Sequence, residues 1–197
     1  MGNKFMRRMV TLLITAAMIM TSGVFAFAAS SPTAGKVTWL SSEGSNGGKK
    51  ITVQWKADKD ADYYIVKVGS KTPKKVYGTK TTFTTTAGAK YKVTVTPVYG
   101  KKEGTAKTQL RWMKGTSITS VKAAGSKKLT IKWKKASGAT KYKVYQYKNG
   151  KYSYVKTVTG TKATVKVAKK GSYKFKVRPM KGSYLGMISG AKSGKAK

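Results

Sequence analysis

Apolar and polar residues alternate one for one through several short segments of this chain. In KKLTIKW (127–133), Leu, Ile and Trp alternate with Thr and Lys, and in YKFKVR (173–178), Tyr, Phe and Val alternate with Lys and Arg. A period of two is that of a β-strand with one buried face. Clusters of Gly, Ser and Asn separate these segments, and no segment after residue 28 keeps apolar residues at helical spacing over three turns. The pattern therefore predicts an all-β fold of short antiparallel strands, arranged as a sandwich or barrel.

The strand pattern occurs twice along the chain. KKITVQWKADKDADYYIVKV (49–68) aligns without a gap with KKLTIKWKKASGATKYKVYQ (127–146), so that a Trp and a Tyr fall at the same places in both. Farther along, AGAKYKVTVTP (87–97) aligns with AKKGSYKFKVRP (168–179) at an offset four residues longer. A repeat of this length indicates two copies of one structural unit.

The second copy is longer because it contains an extra hairpin. We assign the additional residues to YKNGKYSYV (147–155), in which Asn149-Gly150 is the dipeptide expected at a two-residue turn. The repeat predicts two tandem domains, residues 32–113 and 116–197, joined by a short connector. Their cores are predicted to be filled by the apolar side of each strand: Ile51, Val53, Trp55, Tyr64, Val66, Phe83, Val93 and Val95 in the first, and Leu129, Ile131, Trp133, Tyr142, Val144, Val165, Phe175 and Val177 in the second.

Each unit resembles a fibronectin type III domain, of the lysine-rich kind found in secreted proteins of Gram-positive bacteria. The residues that carry the resemblance are Trp55 and Trp133 on the second strand, Tyr64 and Tyr142 at the start of the third, and Tyr91 and Tyr173 at the start of the sixth. The last two occupy the position of the tyrosine corner. The resemblance implies two tandem immunoglobulin-like sandwiches, and a role in separating or presenting other domains.

The first 28 residues have the pattern of a secretory signal peptide. Lys4, Arg7 and Arg8 precede the apolar run MVTLLITAAMIMTSGVFAFA (9–28), which ends in a small-x-small sequence. A basic start, an apolar middle and such an end predict cleavage after residue 28. The alternative is an uncleaved membrane anchor, because the run is long enough to span a bilayer. With cleavage, we expect a secreted protein without a transmembrane segment.

The large positive charge of the chain indicates which kinds of molecule this protein contacts. The chain has 42 Lys and Arg against 5 Asp and Glu, and without the three basic residues before the apolar run its net charge is still about +34. Such a chain repels itself and attracts anions. Only 4 of the basic residues are Arg. Because Lys is a mobile point charge and Arg makes paired, planar hydrogen bonds, this composition disfavours sequence-specific recognition of nucleic acid.

The sequence offers little for catalysis. It has no His and no Cys, so five acids would have to supply any acid–base group. Asp58, Asp60 and Asp62 imitate the start of a calcium loop, but Tyr63 stands where that loop needs Gly, and Gly69 where it needs Glu. We interpret the segment as a solvated turn, with a weak calcium site as the alternative. We expect a protein that is not an enzyme and has no cofactor or metal.

Successive side chains of a strand point to opposite faces of the sheet, and we call the face on which a residue falls its parity. Parity predicts one basic, aromatic face on the second domain. Its members are Lys143, Tyr145 and Tyr147 on the third strand, Lys174, Lys176 and Arg178 on the sixth, and Lys151 and Tyr152 on the extra hairpin. From Gly104 onward there are 25 Lys and Arg and no acid, so nothing opposes the approach of a polyanion. The tyrosines either stack on sugar rings or bases, or pack against one another across the strands. A solvated face without a ligand is the plainer alternative.

These observations favour a non-catalytic extracellular binding or spacer protein. We expect a monomer that cell-envelope polyanions, such as teichoic acid or acidic polysaccharide, hold at the cell wall. Two alternatives remain open: a secreted cationic effector that acts on membranes, and an adhesin that binds a protein partner by strand addition at residues 151–158. Electrostatic retention falls steeply with salt, whereas strand addition does not.

Overall fold

The structure is a computed structural model that describes residues 35–197, so the predicted signal peptide, residues 1–28, lies outside it. The described residues form sixteen β-strands and one short 3-10 turn, Asn46–Gly48. The all-β fold predicted from the alternation is confirmed. Within residues 35–197, no helix has the length and apolar character needed to cross a bilayer.

The first half of the described chain forms a sandwich of two sheets. Its strands are β1 (Leu40–Ser45), β2 (Lys50–Trp55), β3 (Tyr63–Val68), β4 (Lys74–Val76), β5 (Lys80–Thr84), β6 (Lys90–Tyr99), β7 (Lys102–Glu103) and β8 (Lys107–Trp112). One sheet has the order β1-β2-β5 and the other the order β4-β3-β6-β8, with β7 paired to the end of β6. Alternate side chains of each strand therefore lie between the two sheets.

The second half repeats this arrangement. Its strands are β9 (Ile118–Ala123), β10 (Lys128–Trp133), β11 (Lys141–Lys148), β12 (Lys151–Val158), β13 (Lys162–Lys166), β14 (Gly171–Lys181), β15 (Tyr184–Leu185) and β16 (Lys192–Ala196). One sheet has the order β9-β10-β13, and the other places β12, β11, β14 and β16 side by side. Each copy thus has seven main strands. The first, second and fifth strands form one sheet, which packs against a second sheet formed by the third, fourth, sixth and seventh strands.

The core lies where the alternation predicts it. All sixteen residues named for the two cores are buried, and none is more than 4% exposed. They form two clusters, one in each sandwich. In each cluster the tryptophan of the second strand packs against the tyrosine of the third: Trp55 and Tyr64 have ring centroids 5.2 Å apart, and Trp133 and Tyr142 have centroids 5.5 Å apart.

The tyrosines at the start of the sixth strand fasten the preceding loop. The Tyr91 hydroxyl accepts a hydrogen bond from the Thr86 N–H at 2.9 Å. The Tyr173 hydroxyl donates to the Lys169 carbonyl at 2.8 Å and accepts from the same residue's N–H. Contacts to backbone a few residues upstream define a tyrosine corner, so this expectation from the resemblance is confirmed in both copies.

The extra hairpin of the second copy turns where the sequence predicts. Asn149 and Gly150 connect β11 and β12, and both have positive φ angles, 50° and 77°. Positive φ at both central residues is the requirement of a type I′ hairpin turn, which Asn and Gly meet more easily than other residues. The turn closes β11 and β12 into a ladder that runs from Tyr142 to Lys148.

The two sandwiches share a sheet and exchange core residues. Leu185 of β15 lies opposite Arg111 of β8 in a parallel pair, which joins the two larger sheets into one. Trp112 packs in the second core, although its strand belongs to the first sandwich, and Met187 of the second half packs against the first core. The predicted domain boundary stays a prediction, but contacts of this kind oppose bending at it.

Replacing Trp133 with Ala should lower the free energy of unfolding by about 3–5 kcal/mol, because the change leaves a large cavity in a close-packed core. Urea unfolding followed by circular dichroism measures this. Trp39 is 49% exposed, so Trp39→Ala is the matched control and should lower the free energy of unfolding clearly less than Trp133→Ala does, because about half of its surface already contacts water. Equal losses in the two variants would contradict the assignment of the buried face.

Candidate polyanion-binding face

Neighbouring strands of the second sandwich bring the predicted residues onto one outward face. Where β11 pairs with β14, Lys143 lies opposite Arg178, and Tyr145 lies opposite Lys176. Lys174 is two residues before Lys176, on the same side of the strand, and is exposed. Residues two apart on a strand are about 7 Å apart, so the lysines of β14 form a short row beside the tyrosines of β11.

Four tyrosines fill the part of this face that lies between β11 and β12. Tyr145 is opposite Tyr154, and Tyr147 is opposite Tyr152. The ring centroids are 6.3 Å apart in the first pair and 5.1 Å apart in the second, with interplanar angles of 74° and 59°. These are edge-on or tilted cross-strand pairs, which each contribute about 0.5–1.5 kcal/mol. One ring of each pair remains open to solvent: Tyr147 is 44% exposed and Tyr154 is 57% exposed.

Two lysines of the face hold their ammonium groups over these rings. The Lys176 Nζ is 4.5 Å from the centre of the Tyr152 ring, and the Lys143 Nζ is 5.9 Å from the centre of the Tyr154 ring. Cation–π contacts at exposed sites contribute about 0.5–1 kcal/mol. The exposed Lys151, beside the turn of the hairpin, adds a further positive charge at the edge of the face. The face therefore combines open aromatic rings with ammonium groups placed close to them.

Arg178 does not present its charge on the open face, which corrects the prediction for this residue. It is 8% exposed, and its guanidinium donates to the Glu43 carboxylate at 2.5 Å and to the Gly186 carbonyl at 2.9 Å. Parity places Arg178 on the outer side of β14, but the neighbouring sandwich and the segment around Gly186 cover it there. Its charge is balanced inside the protein and is not available to a ligand.

Glu43 also forms an ion pair with a second arginine, Arg111. The Arg111 guanidinium, 3% exposed, donates to the other oxygen of the same carboxylate at 2.9 Å. Burial lowers the pKa of Arg111 to about 10, and the carboxylate of Glu43 opposes this shift, so the side chain keeps its proton at neutral pH. A carboxylate between two arginines thus joins β1 and β8 of the first sandwich to β14 of the second.

A glycine allows the chain to pass close to this ion pair. A Cβ at position 186 would lie 2.6 Å from the Lys114 carbonyl oxygen and 2.7 Å from that of Pro179. Neither backbone oxygen can move aside easily, so only glycine fits here. Its carbonyl then receives Arg178 as described above.

Sequence reasoning missed this cluster, although a signal was present. Arg111 and Arg178 are the two arginines that follow residue 8, in a chain that otherwise uses lysine. Arg suits buried, bidentate ion pairs, whereas Lys suits solvated surfaces. Rare arginines in a lysine-rich chain therefore indicate an internal partner, and Glu43 is one of only five acids that could supply it.

The face differs between the two copies although their cores match. Aligned by repeat, Tyr145, Tyr147 and Lys176 correspond to Lys67, Gly69 and Thr94. On the sixth strand of the first sandwich, Thr94 is in contact with Thr108 across the ladder, so the lysine row is interrupted there. The complete set of two tyrosine pairs and a lysine row therefore belongs to the second sandwich among the residues described.

Two of the three carboxylates in the acidic loop of the first sandwich accept hydrogen bonds from the backbone, and the third, Asp60, forms an ion pair with Lys59. Asp58 Oδ1 accepts from the Asp60 N–H at 3.1 Å, and Asp62 Oδ2 accepts from the Gly100 N–H at 2.8 Å. The Asp58 N–H donates to the Tyr64 hydroxyl. Within residues 35–197, no three potential metal-ligating side chains come together. The hydrogen bonds are those of a turn, and they favour that interpretation.

Solved structures resemble this chain, two of them at low sequence identity. No family model and no curated protein matches it. Among solved structures, the FN1–FN3 domains of chicken CNTN1 share 17% identity with it over 84% of this chain and 68% of theirs, with a TM-score of 0.36. A Fn3-like protein from Clostridium thermocellum shares 22% identity over 41% of this chain and 85% of its own, with a TM-score of 0.35. Both names denote fibronectin type III structure, and neither match bears on the face described above.

Replacing Glu43 with Gln should lower the free energy of unfolding by about 1–3 kcal/mol, because two buried arginines lose their counter-charge. The loss is smaller than for a fully buried pair, since the Glu43 side chain is 41% exposed. Denaturant unfolding measures it. The control is Glu103→Gln, which makes the same change in net charge at an exposed site. It should lower the free energy of unfolding by less than about 0.5 kcal/mol. Equal losses of stability in the two variants would show that net charge, and not the ion pair, stabilises the joint, by which we mean the contact between the two sandwiches.

Proposed function

We propose that this protein is an exported, non-catalytic binding module, held at the cell envelope by anionic polymers that contact the outer face of its second sandwich. The observation that carries the proposal is the placement of Lys143, Lys174 and Lys176 beside four cross-strand tyrosines on one face. The neighbouring lysine, Lys151, lies at the edge of that face. Teichoic acid and acidic polysaccharides are the polymers that such a face would meet in a Gram-positive cell wall.

The kind of charge supports loose retention over tight recognition. All the basic groups available on the face are lysines, and each is a mobile point charge that attracts many anion geometries. The arginines after residue 8 are both engaged by Glu43. Binding by such groups releases counterions from the polymer and therefore weakens steeply as salt is added.

A lack of reactive groups supports a role without catalysis. The chain has no His and no Cys, and the Glu43 carboxylate is engaged by two arginines. Asp58 and Asp62 of the first sandwich accept hydrogen bonds from backbone N–H groups, and Asp60 forms an ion pair with Lys59. A separating or presenting role between envelope components is compatible with the ion pair and the shared sheet that connect the two sandwiches.

A second candidate function rests on the position of β12. This eight-residue strand is at the edge of the largest sheet, so its outer backbone groups are open to pairing with another strand. A protein partner added there would be held by main-chain hydrogen bonds. Such binding persists in high salt, and this separates it from the first proposal.

Retention on purified cell walls should fall as salt is raised. The variant Lys143→Gln/Lys174→Gln/Lys176→Gln should lower the slope of log affinity against log salt concentration by about 2–3, because each lost contact removes about 0.7–0.9. The control is Lys67→Gln/Lys92→Gln/Lys107→Gln, which removes the same charge from the first sandwich and should change the slope by less than about 1.

Equal slopes for the two triple variants would assign retention to net charge and would contradict a specific face. Retention unchanged between low and high salt would contradict the electrostatic proposal altogether and favour strand addition. A pull-down from whole envelopes with the same salt series distinguishes a polymer from a protein ligand.

A further inference from the structure

One arrangement of side chains recurs in the described chain, and it gives the proposed binding a chemical preference. In this arrangement, two tyrosines pair across the third and fourth strands, one of their rings is open to solvent, and a lysine ammonium lies over at least one of the two rings. We call it a capped tyrosine pair. Two examples belong to the face already described, Tyr147–Tyr152 with Lys176 and Tyr154–Tyr145 with Lys143.

A third capped tyrosine pair lies on the first sandwich, outside the predicted face. The ring centroids of Tyr63 and Tyr77 are 6.1 Å apart, at an angle of 55°. The Lys75 Nζ is 4.0 Å from the Tyr63 ring centre and 5.2 Å from that of Tyr77. Tyr77 is 68% exposed, the largest exposure among the exposed aromatic residues of the described chain. A hydrogen bond with Tyr77 raises the pKa of Lys75, so the ammonium is firmly charged beside the open ring.

An open ring and an ammonium at this separation fit a particular kind of anion. An aromatic face attracts the C–H side of a sugar ring, and the neighbouring ammonium attracts an anionic group attached to that same ring. Uronic acids have this form, because the carboxylate is bonded directly to the sugar. Polyphosphate and poly(glycerol phosphate) place their charge on a chain without rings and would use the lysines only.

Nucleic acid fits the arrangement less well. A nucleobase stacks on aromatic rings, but its phosphate is separated from it by a sugar. Here the cation lies 4.0–5.9 Å from the ring centres, directly over the tyrosines, and not along a groove beside them. The arginine planes that commonly stack on bases are also absent from these three groups.

We propose that each capped tyrosine pair is a subsite for a negatively charged sugar ring, and that Tyr63, Lys75 and Tyr77 form one such subsite on the first sandwich. This deepens the proposed function and rests on it. The ligand class is an acidic polysaccharide with its charge on the ring. Subsites on both sandwiches of one chain then bind one polymer more tightly than either does alone, provided that the polymer reaches both.

Calorimetric titration of the purified protein at low salt tests this with three polymers matched in anionic group concentration: polygalacturonate, polyphosphate and single-stranded oligothymidylate. We expect Tyr63→Leu/Tyr77→Leu to weaken binding of polygalacturonate about fivefold, and Tyr147→Leu/Tyr154→Leu to weaken it by at least as much. Neither variant should change binding of polyphosphate by more than about twofold.

Two controls separate the ring from other effects. Tyr77→Phe keeps the aromatic face and should keep most of the affinity for polygalacturonate. Trp39→Leu removes an exposed aromatic residue that belongs to no capped tyrosine pair and should leave the affinity unchanged. Circular dichroism spectra that match those of the unmodified protein confirm that each variant is folded.

The outcomes distinguish this inference from the function on which it rests. Tight, salt-sensitive binding of all polymers with no loss in the tyrosine variants would overturn the sugar subsites and leave electrostatic retention intact. Oligothymidylate bound as tightly as polygalacturonate, with the same dependence on the tyrosines, would overturn the choice of a sugar ligand. If none of the three polymers binds, the proposed function fails first and this inference with it.

Discussion

The alternation of side chains along paired strands is the constraint on which the rest of this protein depends. Each strand sends half of its side chains between two sheets, so an apolar core forms in each sandwich and the remaining half must face outward. The chain has a net charge of +37, and many outward positions are lysine. Stability must then come from the buried aromatic and branched residues, because the five acids can neutralise few of the lysines.

That constraint also decides how much the sequence could predict. All sixteen residues that parity assigned to the cores are buried, and Asn149-Gly150 placed the extra hairpin, because both depend on local chemistry. Parity could place Arg178 on an outer face but could not reveal what covers that face. The joint is formed by residues far apart in sequence, Glu43 and Arg178, and by β15, whose segment has little periodicity. Contacts of this kind are set by how two sandwiches pack, and no short-range pattern encodes them.

The two kinds of basic residue have different roles in this molecule. Arg111 and Arg178 are buried, share one carboxylate and fix one sandwich against the other. The lysines remain in solvent, and several lie over tyrosine rings of the third and fourth strands. Arg makes directional, paired hydrogen bonds, whereas Lys keeps its hydration and its mobility. Two sandwiches joined by this ion pair can thus present mobile charges and open rings together.

The most direct test of this account is residue-resolved chemical-shift mapping by NMR as polygalacturonate is added to the isotope-labelled protein. The account predicts that the amides which shift most lie on β11, β12 and β14, with a smaller set on β3 and β4 around Tyr63 and Tyr77. The lysine-bearing strands β2 and β10, on the opposite sheets, should change little. Shifts spread evenly over all strands that carry lysine would contradict it, because they would show that charge alone, without the tyrosine faces, attracts the polymer.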